Sequence, residues 1–236
     1  MGSFLFFLAL GLAIIPSIIW LFFYLRKDSH PEPNWMVLTI FLLGAISILP
    51  AVGLEKIASY LFRNSIIILI ASAFIEEIVK FVAAHLGTWK KPALDEPVDV
   101  MLYMIIAGLG FAALENFFFL LDPTLITPLH LVEVSLIRFL GATFIHALAS
   151  GTWGYFLALN YFSNPEKPNK KRLHFWTGLL LAGLLHSIYN LSIIIALKQE
   201  SFTLAFSLIV ILVLIFINIG NFRKLKKKTA SFKKSN

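Results

Sequence analysis

The sequence predicts an all-α polytopic membrane protein: a bundle of about seven transmembrane helices, with the amino terminus outside and the carboxyl terminus in the cytoplasm. Three observations carry this expectation. Of 236 residues, 58% are hydrophobic and only 14% charged, with a mean hydropathy of +0.83, far from the balance of a soluble domain. The apolar residues gather into seven runs, each near the length of about 20 residues that carries a helix across a hydrocarbon core of about 30 Å. Lysine and arginine fall mostly in alternate loops, the bias that places basic loops inside.

In order, the runs are Phe4 to Leu25, Trp35 to Leu54, Ser65 to Leu86, Val98 to Leu121, Leu136 to Phe162, Phe175 to Leu197 and Phe202 to Phe222. The first is too long for a signal-peptide core, lacks a basic start and runs into Arg26 and Lys27, so it is expected to stay as an anchor. Phe6 stands where a myristoylation signal needs Ser or Thr. The Pro-rich stretches "DSHPEPN" at 28–34 and "NPEKPNKKR" at 164–172 end helices and mark boundaries. Residues 1–222 read as one integral-membrane domain, with the site in spans between 65 and 197, and 223–236 as a basic cytoplasmic tail.

One side of the predicted bundle collects Arg26, Lys27, Lys90, Lys91, Lys167, Lys170, Lys171 and Arg172, together with Arg223, Lys224, Lys226, Lys227, Lys228, Lys233 and Lys234. The other side has Lys56, Arg63 and Lys198. Much of the net charge of +7 therefore sits in a juxtamembrane tail. Such a tail reads as a topogenic signal that also meets anionic membrane lipid, not as a nucleic-acid site. Cysteine is absent, which excludes disulfides and a thiolate nucleophile.

The polar residues inside the spans are the informative ones. A charge at mid-bilayer costs about 2.5–3.5 kcal/mol on insertion scales, so it normally faces a bundle interior or a wet cavity. The third span holds Glu76, Glu77 and Lys80, the fourth Glu115 and Asn116, the fifth Arg138 and His146, and the sixth His186 and Asn190. At 1.5 Å per residue, Glu77 and His186 lie about 18 and 16 Å below the outer ends of their spans, with His146 at similar depth and Glu115 about 9 Å down. These groups can meet in one layer if spans three to six surround a common cavity. Lys80 is one turn from either glutamate, while Glu76 and Glu77 point about 100° apart. His186 and Asn190, four apart, share a helix face. Small residues flank the polar ones, including Gly108, Gly110, Gly141, Gly151, Gly178 and Gly183, and let helices approach closely.

Each residue also has a structural reading. Glu76 with Lys80 can form a buried ion pair, either histidine alone can be an interhelical hydrogen-bonding group, and Arg138 is most simply a partner for Glu133 or Glu115, or a residue snorkelling outward. Together the residues suggest more. Imidazole and carboxylate are the ligand set of a catalytic zinc site with a position left for water, and His146, His186 and Glu115 supply one. Zn2+ is the expected cofactor, with Glu76 or Glu77 as the base that takes a proton from water. A metal-free mechanism, with a glutamate-activated water and His and Asn at the oxyanion, uses the same residues.

At this point the motifs resemble a family. "EEIVK" (Glu76, Glu77, Lys80), "FAALEN" (Phe111, Glu115, Asn116), His146 and "HSIYN" (His186, Asn190) are similar to the motifs of PrsW-type intramembrane proteases, relatives of the type II CAAX prenyl proteases. The resemblance covers the third to sixth spans. It implies a membrane-embedded, metal-dependent peptidase of the bacterial cell membrane with Glu76, Glu77, Glu115, His146, His186 and Asn190 in its site. The implied substrate is a membrane-anchored protein, a single-span anti-sigma factor cut near its extracytoplasmic side. The prenyl-protease pattern would want an Arg one position after Lys80 and a His where Glu115 stands, which speaks against prenylated substrates. Two other classes compete: a non-catalytic multi-span scaffold, against which the two glutamates argue, and an ion or proton transporter, whose inverted repeats and broken helices are not expected from this sequence.

Overall fold

The computed structural model describes residues 2–28, 30–88, 91–122, 127–162, 168–196 and 202–232. Of the basic residues behind the predicted orientation, Lys90, Lys167, Lys198, Lys233 and Lys234 lie outside them. The described residues form α-helices and no strands: α1 (Ser3–Leu25), α2 (Asn34–Ile46), α3 (Ile48–Leu61), α4 (Ser65–Thr88), α5 (Pro97–Leu120), α6 (Pro128–Leu140), α7 (Ala142–Tyr161), α8 (Pro168–Ala196) and α9 (Phe202–Phe232).

Five stretches are long and apolar enough to cross a membrane: α1, α2 with α3, α5, α6 with α7, and α8. Helix α4 matches α5 in length at 24 residues but carries Glu76, Glu77 and Lys80. The protein is a multi-pass membrane protein. Its burial pattern agrees: Lys80 is 0% exposed, while Phe216 is 74% and Tyr60 90% exposed, so charge turns inward and large apolar side chains face outward.

Two of the predicted runs are broken helices. The second breaks at Ser47, because Pro50 has no N–H to offer the Ile46 carbonyl one turn back, and Ser47 Oγ donates to Gly44 O at 2.7 Å. The fifth begins earlier than predicted, at Pro128, and breaks at Gly141. A Cβ there would lie 2.1 Å from Tyr189 Oη, so only glycine permits this approach to α8. Helix α1 absorbs Pro16 without breaking. Proline cannot bond the carbonyl of Leu12, and Ser135 Oγ of α6 donates to it instead, at 2.9 Å.

Helix α5 is the central post, packed against α1, α2, α4, α6, α7 and α9. Pro97 opens it, and Asp99 Oδ2 accepts the backbone N–H of Glu96 at 2.6 Å, so the N-terminal turn is closed by its own sequence. Backbone contact with α2 rests on glycine: a Cβ on Gly44 would meet Ala107 O at 2.2 Å, and one on Gly110 would meet Phe41 O at 2.0 Å. Helix α9 continues through the described basic residues, from Arg223 to Lys228, and ends at Phe232.

Candidate active site

Helices α4, α5, α7 and α8 place the carboxylates, the imidazoles and Lys80, and α6 adds Arg138 at the edge. Helix α4 packs on α5 and α8, and α7 packs on α5, α8 and α4. Small residues make the approach possible: a Cβ on Gly108 of α5 would meet Ser150 Oγ at 2.8 Å and His146 O at 2.9 Å, and one on Gly183 of α8 would meet the Phe74 ring of α4 at 2.6 Å. Glu76, Glu77, Lys80, His146 and His186 are all buried where these helices meet.

Lys80 is the hub. Its Nζ donates to Glu77 Oε1 at 2.8 Å, to Glu76 Oε2 at 3.3 Å and to His146 Nδ1 at 2.7 Å. An ammonium has three donors and no acceptor, so this environment uses all three, and the Phe111 ring lies 4.4 Å from the charge. Because His146 Nδ1 accepts from Lys80, its Nε2 carries the hydrogen and donates to Glu115 Oε2 at 3.1 Å. His186 Nδ1 donates to Glu77 Oε1 at 3.1 Å, which leaves its Nε2 a bare lone pair. Ser150 Oγ donates to Glu77 Oε2 at 2.9 Å. Both oxygens of Glu77 are therefore engaged.

Glu76 is placed differently. Its Oε2 lies 3.6 Å from His146 Nδ1 and 3.7 Å from His186 Nε2, and the two rings stand nearly perpendicular with centroids 4.9 Å apart. Glu115 sits at the edge, its side chain one-third exposed. Arg138 Nη2 donates to it at 2.5 Å and Arg138 Nε donates to Asn116 Oδ1 at 2.5 Å, while Asn116 Nδ2 donates to Thr143 Oγ1 at 2.8 Å. Of the two partners that the sequence offers Arg138, the structure pairs it with Glu115.

The predicted site residues thus come together except for Asn190. That residue lies one turn beyond His186 on α8, half-buried, with no hydrogen bond to the described residues. Ser150 and Thr143 were missed by sequence reasoning. Ser150 had a signal: it lies four residues after His146 on α7, on the same face. Thr143 had none, since only the break at Gly141 brings it to Asn116.

The donor set fits a metal ion. Glu76, His146 and His186 each offer one atom within 4.8 Å of the others, all three residues buried. Each ring has its second nitrogen held by a further carboxylate, Glu77 or Glu115, the arrangement that fixes tautomer and orientation in histidine metal sites. Charge points the same way. Three carboxylates against Lys80 and Arg138 leave the cluster one negative charge in excess with neutral rings, and a buried excess charge calls for a proton or a cation. Lys80 now occupies the His146 lone pair, so a metal at that nitrogen requires the ammonium to withdraw onto the glutamates.

Comparison with known proteins identifies a family. The profile described as PrsW family intramembrane metalloprotease matches residues 32–218. Curated relatives called Protease PrsW include one from Geobacillus kaustophilus, 28% identical over 172 residues that cover 72% of each chain, and one from Bacillus subtilis, 29% identical over 78% of this chain and 82% of that one. A third, from Clostridioides difficile, is 26% identical over 92% of this chain and 97% of the relative. No solved structure matches the chain. The chain is a membrane-embedded peptidase and belongs to the PrsW family of intramembrane metalloproteases.

Proposed function

We propose that this peptidase hydrolyses a peptide bond of a membrane-anchored protein with water activated beside Glu76, and that Glu76, His146 and His186 hold Zn2+. The observation that carries the reading is the convergence of Glu76 Oε2 on one nitrogen of each ring, at 3.6 and 3.7 Å, while the opposite nitrogens are tied to Glu115 and Glu77. Zinc held by these residues would supply a Lewis acid for the substrate carbonyl and would lower the pKa of a water toward neutral pH. Glu76 then fills the third-ligand position that the sequence reading assigns to Glu115. Glu77 and Glu115 orient the two rings. Lys80 pairs with Glu77 and positions it against His186.

A second mechanism for the same reaction rests on a specific contact, the 2.7 Å bond from Lys80 to His146 Nδ1. If Lys80 stays there, Glu76 acts as general base without a metal, taking the proton of the attacking water. Asn190, one turn from His186 on α8, then donates its amide to the developing oxyanion, and His186 joins it only as an imidazolium, since its Nε2 bears no proton while Nδ1 donates to Glu77.

The substrate we assign is a single-span anti-sigma factor, cut near its extracytoplasmic side in the first step of regulated proteolysis. The family resemblance and the outer-half depth of the polar residues support this, with the amino terminus outside and α9 ending in the cytoplasm. The test is a comparison of bacterial membranes that express the wild-type chain or Glu76→Gln, with membrane proteins quantified peptide by peptide. The expected outcome is a single-span regulator shortened on its outer side with the wild type and intact with Glu76→Gln. Identical peptide patterns in both would overturn the assignment.

A further inference from the structure

A separate cavity of about 490 Å³ opens between α1, α7 and α9, on the side of α7 away from the histidine cluster. Its two ends differ in chemistry. Lys27, Arg223 and Lys226 line one end, and Trp20, Phe144 and Ile215 line the other. From Ile215 to Lys226 the cavity follows α9 for about 16 Å, and from Trp20 to Lys27 it follows α1 for about 10 Å.

The walls are built to stay apolar in the middle. Trp20 stacks on Phe144 with centroids 3.8 Å apart and donates its Nε1–H to Phe139 O at 3.1 Å, so it turns its ring and not its polar edge to the space. Asn218 lines the cavity but donates its amide to Leu148 O at 3.1 Å and Thr152 Oγ1 at 3.2 Å, both on α7. At the basic end, Lys226 Nζ donates to Lys27 O at 2.5 Å, which draws the ends of α1 and α9 together. Lys27 lies 5.0 Å from the Phe23 ring and Lys226 5.9 Å from the Phe222 ring. Three cations therefore converge on one mouth, and no carboxylate is among the described residues that line the cavity.

We propose that this cavity binds one anionic phospholipid, with its phosphate between Lys27, Arg223 and Lys226 and an acyl chain along Trp20 and Phe144 toward Ile215. A site with cations at one end and rings and aliphatic carbon at the other matches such an amphiphile in both parts, and basic pockets between membrane helices on the cytoplasmic side are suited to anionic head groups. The lipid bridges α1 and α9 to α7, two residues from His146.

The full chain, purified in neutral detergent, is given equimolar phosphatidylglycerol and phosphatidylcholine, and retained lipid is counted by native mass spectrometry. One phosphatidylglycerol per chain is expected, held in preference to phosphatidylcholine and not displaced by inorganic phosphate. The triple variant K27Q/R223Q/K226Q should lose about a hundredfold of that retention, since it removes every cation at the mouth. The control K224Q/K227Q/K228Q removes the same charge from α9 outside the cavity and should keep it. Ile219→Trp keeps every charge but fills the apolar half, and should lose it. Equal loss in both charge triples, full retention in Ile219→Trp, equal retention of the two lipids, or displacement by phosphate would each overturn the proposal.

Discussion

Glu76 and Glu77 are adjacent in sequence, yet their surroundings separate them. Glu77 is fully buried with both oxygens bonded, to Lys80 and His186 on one side and Ser150 on the other, whereas Glu76 Oε2 faces the rings. Glu77→Gln breaks a buried ion pair and leaves the ammonium of Lys80 short of its nearest carboxylate, at a cost of about 3 kcal/mol or more. Glu76→Gln keeps the 2.8 Å pair between Lys80 and Glu77, so its melting temperature in detergent should stay nearer the wild type while cleavage is lost. Equal destabilisation by the two substitutions would contradict the division of roles. A second residue-level prediction concerns Glu32, in the segment between α1 and α2. Burial raises its pKa above the usual carboxylate range, against lowering hydrogen bonds from Tyr103 and Asp99, and the charges of Asp28 and Asp95 add to the rise. The folded state thus binds this proton at pH values where the unfolded chain has lost it. Stability then falls as pH rises through that window. Glu32→Gln should remove this loss, with the melting-temperature gain over wild type absent in acid and growing above about pH 5. A gain that shrinks as pH rises would refute the sign.

At the scale of elements, the break between α6 and α7 is the joint that sets the site. Gly141 carries it, with Tyr189 Oη in the space of a side chain, and Arg138 and Thr143 on either side bond the Glu115–Asn116 pair. Gly141→Ala should lower both stability and cleavage. In a Tyr189→Phe background, which removes the closest atom, its cost should be smaller. Additive costs in this double-mutant cycle would show that the contact is not the cause. The apolar runs and the charges within them were legible in the sequence because both follow from hydropathy alone. The breaks were legible only in hindsight: Pro50 announces the first through its missing N–H, whereas Gly141 looks like any small residue until Tyr189 is seen against it. Single-residue spacing also set the depths of Glu77, His146 and His186, which do meet. It could not say which carboxylate reaches which nitrogen, since that depends on helix rotation, nor that Asn190 stays apart from the cluster.

For the whole molecule, extracytoplasmic cleavage depends on orientation, and the cysteine-free sequence makes orientation directly testable. Arg63→Cys, between α3 and α4, should react with an impermeant maleimide applied outside intact cells, and Asp95→Cys, between α4 and α5, should react only after lysis. The reverse pattern would place the site in the inner half and remove extracytoplasmic cleavage. The fold itself serves the chemistry by keeping α5, which carries Glu115 at the edge of the site, as a post against which α4, α7 and α8 bring Glu76, Glu77, Lys80, His146 and His186 into one buried layer. The most direct test of the central assignment is the metal content of the detergent-purified chain, measured by elemental mass spectrometry without chelator. About one zinc per chain is expected, lost in Glu76→Gln, His146→Ala and His186→Ala and retained in Asn190→Ala, each variant eluting as the folded protein. A wild-type chain that purifies folded and without zinc, or one that keeps its zinc when Glu76 is replaced, would contradict it.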